Sequence, residues 1–202
     1  MTRPTGMHAA AASVLGHAFA GDPAFRHALP DDARRVAQLT WLCARVMRFV
    51  ELSGGRVDVA GDGPRAVALW APVTRAWREP LGRLVRSGLA ATPFVLGLGA
   101  VRRLAALGRV TGALHAALAP VPHDYLLQLA VAPGEQGRGL GSALLREGLE
   151  RSSRAGRAVW LETTNPANVA FYERHGFEVA GRRVAAEGVE VVGLVRRPGT
   201  AE

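Results

Sequence analysis

The segment Leu126-Leu127-Gln128-Leu129-Ala130-Val131-Ala132-Pro133-Gly134-Glu135-Gln136-Gly137-Arg138-Gly139-Leu140-Gly141-Ser142-Ala143-Leu144-Leu145 constrains the fold more than any other part of the chain. An apolar run meets a glycine-rich break, and a second apolar stretch resumes at helical spacing. The order reads as strand, tight turn, helix. Leu140, Leu144, Leu145 and Leu149 share one helical face, and Gly156 ends the helix. Gly137, Gly139 and Gly141 allow positive φ and close approach of a backbone or ligand. Such a turn leaves N–H groups unpaired at the positive end of a helix dipole, which suits a phosphate or pyrophosphate. The glycines do not follow the G-x-G-x-x-G order of a dinucleotide site, and there is no lysine for a P-loop.

The flanking sequence supplies the rest of an α/β (mixed α+β) pattern. His8 to Phe19 reads as a first helix. Pro30-Asp31-Asp32 starts a second, with Val36, Leu39, Leu42, Val46, Phe49 and Val50 at helical spacing until Gly54-Gly55 stops it. Arg56 to Ala60 and Arg65 to Ala71 are β-prone, joined by a Gly61-Asp62-Gly63-Pro64 hairpin turn. Two helical pieces, Pro80 to Ala90 and Phe94 to Leu118, break at Thr92-Pro93. Then come a strand (His123 to Ala132), the helix Gly139 to Ala155, a strand (Ala158 to Thr163) and a helix (Asn165 to His175) closed by Gly176. Phe177 to Ala185 and Gly188 to Arg196 form a closing antiparallel pair. With no repeat, low-complexity segment or linker, a single domain over residues 1–202 is expected.

Composition narrows the partners. The net charge of +8 rests on 25 basic residues, all of them arginine. The arginines are scattered, with pairs only at Arg34-Arg35, Arg102-Arg103, Arg182-Arg183 and Arg196-Arg197, so no nucleic-acid partner is expected. The lone cysteine, Cys43, can form no internal disulfide and reads as a small core residue. The start of the chain mimics a secretory signal, with Arg3, an apolar Ala9 to Leu15 and a small-x-small Ala18-Phe19-Ala20. His8, Gly16 and His17 interrupt or flank it, and it runs directly into Gly21-Asp22-Pro23-Ala24-Phe25. The longest uncharged stretch, Leu89 to Val101, is too short to span a bilayer. No membrane partner and a cytoplasmic location are therefore expected. His8, His17, His27, His115 and His175 show no ligand spacing with cysteines or acids, so no metal is expected.

The turn Gln136-x-x-Gly139-x-Gly141 and the later run Leu161-Glu162-Thr163-Thr164-Asn165-Pro166-Ala167-Asn168-Val169-Ala170-Phe171-Tyr172-Glu173-Arg174-His175-Gly176-Phe177 together resemble the two acyl-CoA segments of the GCN5-related N-acetyltransferase (GNAT) superfamily. With Ala18 to His27 and the Ala66-Val67-Ala68-Leu69-Trp70 strand, the layout is similar to the puromycin N-acetyltransferase type. The resemblance implies a central, mixed but mostly antiparallel sheet with splayed central strands, flanked by helices. Members usually open with a strand. Only Met1 to Gly6 precede the first helix here, so that strand is expected to be short or missing.

The resemblance also implies acetyl-CoA as acyl donor and assigns residues to it. Leu129, Ala130 and Val131 would pair with pantetheine. Gln136, Gly137, Arg138, Gly139, Leu140, Gly141 and Ser142 would cradle the pyrophosphate, with Asn168 holding the pantetheine-pyrophosphate region. The Val131 N–H would stabilise the oxyanion of the tetrahedral intermediate. Tyr172 would point its hydroxyl at the CoA sulfur, in keeping with the proton that a departing thiolate needs. Read alone, Tyr172 is a core residue anchored by its hydroxyl; the two motifs in order favour the catalytic role.

Glu162 is the candidate base because it lies on the second splayed strand, or else a structural acid bonded to the Asn165-Pro166 turn. Asp22, His123, Asp124 and Glu135 are the other candidates, with His123 and Asp124 reading as strand-cap or edge residues. Phe25, Trp77 and Glu162 are the acceptor-site candidates, while Trp41 and Trp70 read as core. The expected reaction is transfer of an acetyl group from acetyl-CoA to a primary amine of a small molecule, by direct attack in a ternary complex. A protein or peptide acceptor, or a silent acyl-CoA-binding module, stays open, as does monomer or homodimer.

Overall fold

The computed structural model describes residues 5–74, 81–186 and 188–198. In chain order the helices are α1 (Thr5–Phe19), α2 (Pro23–Ala28), α3 (Asp32–Leu52), α4 (Leu81–Ser87), α5 (Thr92–Leu96), α6 (Leu98–Leu118), α7 (Leu140–Arg154) and α8 (Ala167–Glu173). The strands are β1 (Arg56–Ala60), β2 (Ala66–Val73), β3 (His123–Val131), β4 (Ala158–Thr163), β5 (Glu178–Ala186) and β6 (Val189–Arg196). Their order in the sheet is β1-β2-β3-β4-β6-β5, and only the β3–β4 neighbours run parallel. This is the mixed, mostly antiparallel sheet expected from the sequence.

Strand alternation assigns the two faces. In β2, Ala66, Ala68 and Trp70 pack with Leu144, Leu145 and Leu149 of α7, while Val67 and Leu69 pack with Ala11, Leu15, Cys43, Met47 and Val50 of α1 and α3. β6 divides the same way: Val192 and Leu194 join the α7 side, and Val191 and Val195 meet Leu114 of α6. Trp70 lies so close to α7 that a Cβ on Gly148 would fall 2.0 Å from its ring. Asp124 ties the same helix to β3, accepting from Ser152 Oγ at 2.7 Å and from Arg157 Nη1 at 3.2 Å.

Several expectations need correction. The long helical region breaks at Thr92-Pro93 as expected, with α5 starting at Thr92, but it breaks a second time at Gly97, φ 83°. Pro93 lies in the first turn of α5, where a missing N–H costs nothing. α8 is shorter than Asn165 to His175. Helix α2 was not anticipated, although Asp22-Pro23 carries its start signal: the Asp22 carboxylate accepts from Ala24 N at 2.9 Å, and Pro23 opens the helix. His123 and Asp124 are interior residues and not edge or cap positions, because β3 is central (0% and 6% exposed). Trp70 is buried, but Trp41 is only half-buried, with the Arg45 guanidinium 4.5 Å over its ring. Residues 1–4, where an opening strand would lie, fall outside the described residues.

Candidate active site

The parallel pairing of β3 and β4 stops early. His123, Asp124 and Tyr125 pair with Ala158, Val159 and Trp160, and beyond them the strands separate. Each stays attached to its other neighbour, β3 to β2 as far as Val131 and β4 to β6 as far as Thr163. The register of β2 on β3 jumps between Leu69 and Trp70, which face Gln128 and Leu126 and leave Leu127 without an opposite. An extra residue of this kind bends and twists the strand carrying it, and it lies where β3 leaves β4.

The separated strands expose backbone toward the gap. Ala132 N donates to Arg65 O on the β2 side at 2.8 Å. N–H groups alternate along a strand, so the Val131 N–H points to the opposite, unpaired edge. The Leu129 N–H points the same way. The Gln136 side-chain amide reaches back to Val131 O at 3.4 Å and joins the turn to the strand end. In that turn Gly137 (φ 76°) and Gly139 (φ 79°) are left-handed. Gly141 contributes differently: a Cβ there would lie 3.1 Å from the Val131 side chain, which would have to give by a few tenths of an ångström. The first intrahelical bond of α7 runs from Ala143 N to Gly139 O. No side chain among the described residues caps the N–H groups of Leu140, Gly141 and Ser142, which leaves an anion-binding helix start. Arg138 leans on Glu135 at 2.8 Å, and Arg65 approaches the same carboxylate at 3.6 Å.

Two cavities meet in the gap. The larger, about 690 Å³, is lined by Leu129, Ala130, Val131, Gln136, Gly137, Gly139, Leu140, Gly141, Ser142, Asn168 and Tyr172, with Ala18 and Phe19 at the end of α1 and Gly21 and Asp22 in the link to α2 closing it. The smaller, about 190 Å³, is lined by Phe25, Thr111, Tyr125, Glu162 and Thr163. Phe19, Asp22, Leu129, Asn168 and Tyr172 line both. The sequence singled out most of the larger cavity's wall. It gave no reason to name Phe19, Arg174, Thr111 or Tyr125, whose roles follow from sheet order and not from any local motif. Arg138 is not on that wall, and Trp77 lies outside the described residues.

Tyr172 is buried among Phe171, Phe177 and the α7 leucines, and burial pushes its phenol above the usual tyrosine range. No hydrogen-bond partner for its hydroxyl is present among the described residues, so the core-anchor reading lacks its anchor. Asn168 donates to Thr163 Oγ1 at 3.2 Å. The Asn165-Pro166 turn is held by Thr163, which accepts from Asn165 N at 3.2 Å; Glu162 takes no part in it. The Glu162 carboxyl instead accepts from Tyr125 Oη at 2.6 Å and Trp160 Nε1 at 2.5 Å, with His115 Nδ1 3.5 Å away. Its side chain is 6% exposed, and burial raises its pKa to about 7 against the two donors that lower it. Asp22 shows the same direction of shift: burial raises it, while hydrogen bonds from Thr164 Oγ1 (2.8 Å) and Ala24 N oppose. Cys43, buried in the α1–α3 layer with its thiol pushed up to about 12, is inert. No group of His, Cys, Asp and Glu suited to a metal occurs among the described residues, and no described helix is long and apolar enough to cross a membrane.

Known proteins share this arrangement. The family model described as the acetyltransferase (GNAT) family matches residues 68–177, which run from β2 through both segments of the site. A "tRNA-acetylating toxin" of Mycobacterium tuberculosis (strain ATCC 25618 / H37Rv) is 36% identical over 100 residues, 47% of this chain and 58% of the relative. The chain thus matches little more than half the length of that curated relative. The solved structure of a "histone acetyltransferase HPA2 and related acetyltransferase" from Corynebacterium glutamicum ATCC 13032 superposes with TM-score 0.66 at 25% identity, covering 100% of this chain and 96% of the other. A Drosophila melanogaster polyamine N-acetyltransferase shares the fold, with TM-score 0.59 at 15% identity over 97% of each chain. On the matched segment, the splayed strands and the glycine-rich start of α7, this chain belongs to the GNAT family of acetyltransferases.

Proposed function

We propose that the protein transfers an acetyl group from acetyl-CoA to a primary amine of a small molecule within a ternary complex. The observation that carries this reading is the meeting of the two cavities at Tyr172, with Glu162 on the wall of the smaller one. The turn and its free helix N–H groups suit the pyrophosphate of acetyl-CoA, which supplies an activated thioester when bound. The Leu129 and Val131 edge suits a pantetheine chain, and the Val131 N–H is placed to donate to a developing oxyanion. The smaller cavity suits a cation of modest size, since the carboxyl groups of Asp22 and Glu162 both line it. Glu162, half-deprotonated near neutrality, takes the proton of the arriving ammonium group. Tyr172 gives its proton to the departing sulfur.

A second reading has its own support. The net charge of +8 and the likeness to a tRNA-acetylating toxin favour an acceptor amine carried on tRNA. Thiol release from acetyl-CoA with aminonucleosides, aminoglycosides, polyamines and aminoacyl-tRNA separates the two. Release with a free amine supports the first reading; release only with the tRNA substrate replaces it with the second. Tyr172→Phe should lower turnover by about 10²-fold or more, within the range for a lost general acid, and leave acetyl-CoA affinity nearly unchanged. Unchanged turnover would remove Tyr172 as the acid.

A further inference from the structure

Behind Glu162 lies a pair of histidines that the acetyl-transfer reading does not use. His115, near the end of α6, and His123, at the start of β3, are both buried (9% and 0% exposed), and their Nε2 atoms are 3.0 Å apart. Hydrogen-bond accounting fixes their protons. His123 Nδ1 contacts the Pro120 carbonyl, which can only accept, so that nitrogen carries the proton. Neutral His123 is left with a lone pair on Nε2. His115 must donate from its own Nε2, and its Nδ1 becomes a bare acceptor. That acceptor lies 3.5 Å from Glu162 Oε1, an approach short of a formed hydrogen bond, and the two lone pairs can close it only with a proton between them. Burial disfavours the imidazolium form of both rings, pushing His115 down to about 4 and His123 below its ordinary value.

We propose that His123 and His115 are positioning residues for Glu162: they turn an unprotonated imidazole nitrogen toward its carboxyl, so that Glu162 and His115 together hold the one proton taken from the acceptor's ammonium group. The inference rests on Glu162 being the base. The N–H bond of the ammonium breaks, an O–H bond forms at Glu162, and the proton settles in the contact with His115 Nδ1. It returns to solvent when the product leaves the smaller cavity. The other groups around the pair fit this role. Tyr125 Oη and Trp160 Nε1 donate to the carboxyl and hold it in place. Tyr125 also packs edge-on against His115, 4.7 Å between centroids. Asp124, beside His123, favours a charged imidazole, but it is already paired with Arg157 and Ser152. Asp22 lines the smaller cavity with Glu162.

Long-range ¹H–¹⁵N correlation on the ¹⁵N-labelled protein tests the proton placement without any acceptor. The expected result is His123 as the Nδ1–H tautomer and His115 as the Nε2–H tautomer near pH 7.5. A His115 proton on Nδ1 overturns the proposal. Infrared or ¹³C titration of Glu162, assigned against Glu162→Gln, then measures the consequence. In His123→Phe, His115 is free to donate to the carboxylate, and the Glu162 midpoint should fall by about one unit, a tenfold change in proton binding. A folded His123→Phe variant with an unmoved midpoint also overturns it. Full turnover in Glu162→Gln across pH would instead reject the base reading and leave the tautomer result standing.

Discussion

Glu162 and Tyr172 are the two buried groups that the proposed reaction uses, and burial raises both pKa values for the same reason: a charge is poorly solvated there. For Glu162 this has a stability cost with a definite sign. The folded value, about 7, lies above the ordinary 4.5, so the folded state binds the proton more tightly than the unfolded chain. The associated stability is complete below pH 4.5 and is lost as pH rises through 7. Glu162→Gln removes the buried charge while keeping an acceptor for Trp160. It should raise the stability at pH 8 by on the order of 2 kcal/mol, and Tm with it, and change both little at pH 4. Thermal melts at the two pH values check this. The same substitution should abolish the rise of activity with pH through neutrality. Tyr172, Asn168 and Glu162 were legible in the sequence because they sit in a recognisable run. Tyr125 and His115 were not, because each meets Glu162 from another element; Trp160 shares β4 with Glu162, and no motif marks it.

At the scale of elements, local pattern predicted well wherever it was strong. β1 and β4 fall where alternation and turn residues put them, and α7 follows its leucine stripe. The glycines of the turn act through backbone conformation more than through space. Gly139 has φ 79° and nothing within 4 Å of a built Cβ, so a side chain there strains the turn without striking a neighbour. Gly139→Val should therefore lower acetyl-CoA affinity at least tenfold, about 1.4 kcal/mol, while α7 stays docked by Leu144, Leu145 and Leu149. Calorimetric titration of a folded variant checks it, and normal affinity would sink the cradle reading. Local pattern placed the boundary at Thr92-Pro93 but missed the break at Gly97, and it gave no sign of the bulge at Leu127. That bulge exists only in the register between β2 and β3, and register belongs to two strands at once.

For the whole molecule, charge and layering matter most. A net charge of +8, with every basic residue an arginine, attracts a polyanion such as CoA at long range. Acetyl-CoA association should slow several-fold between about 0.02 and 0.5 M salt, as the Debye length shrinks. Stopped-flow binding measures this, and a salt-independent rate would show that the turn alone captures the ligand. The sequence by itself determined the order of strands and of the long helices, the glycine-rich start of α7 and the resemblance to acyl-CoA-dependent transferases, because these are written in spacings within one or two neighbouring segments. Only the tertiary structure decided where β3 leaves β4, which residues line both cavities, and that His115 of α6 backs Glu162 of β4. Such contacts depend on strand order and on the face each helix covers, which short-range periodicity does not encode. The smaller cavity is walled by α2, α6, β3 and β4 together, so it exists only once those elements have packed.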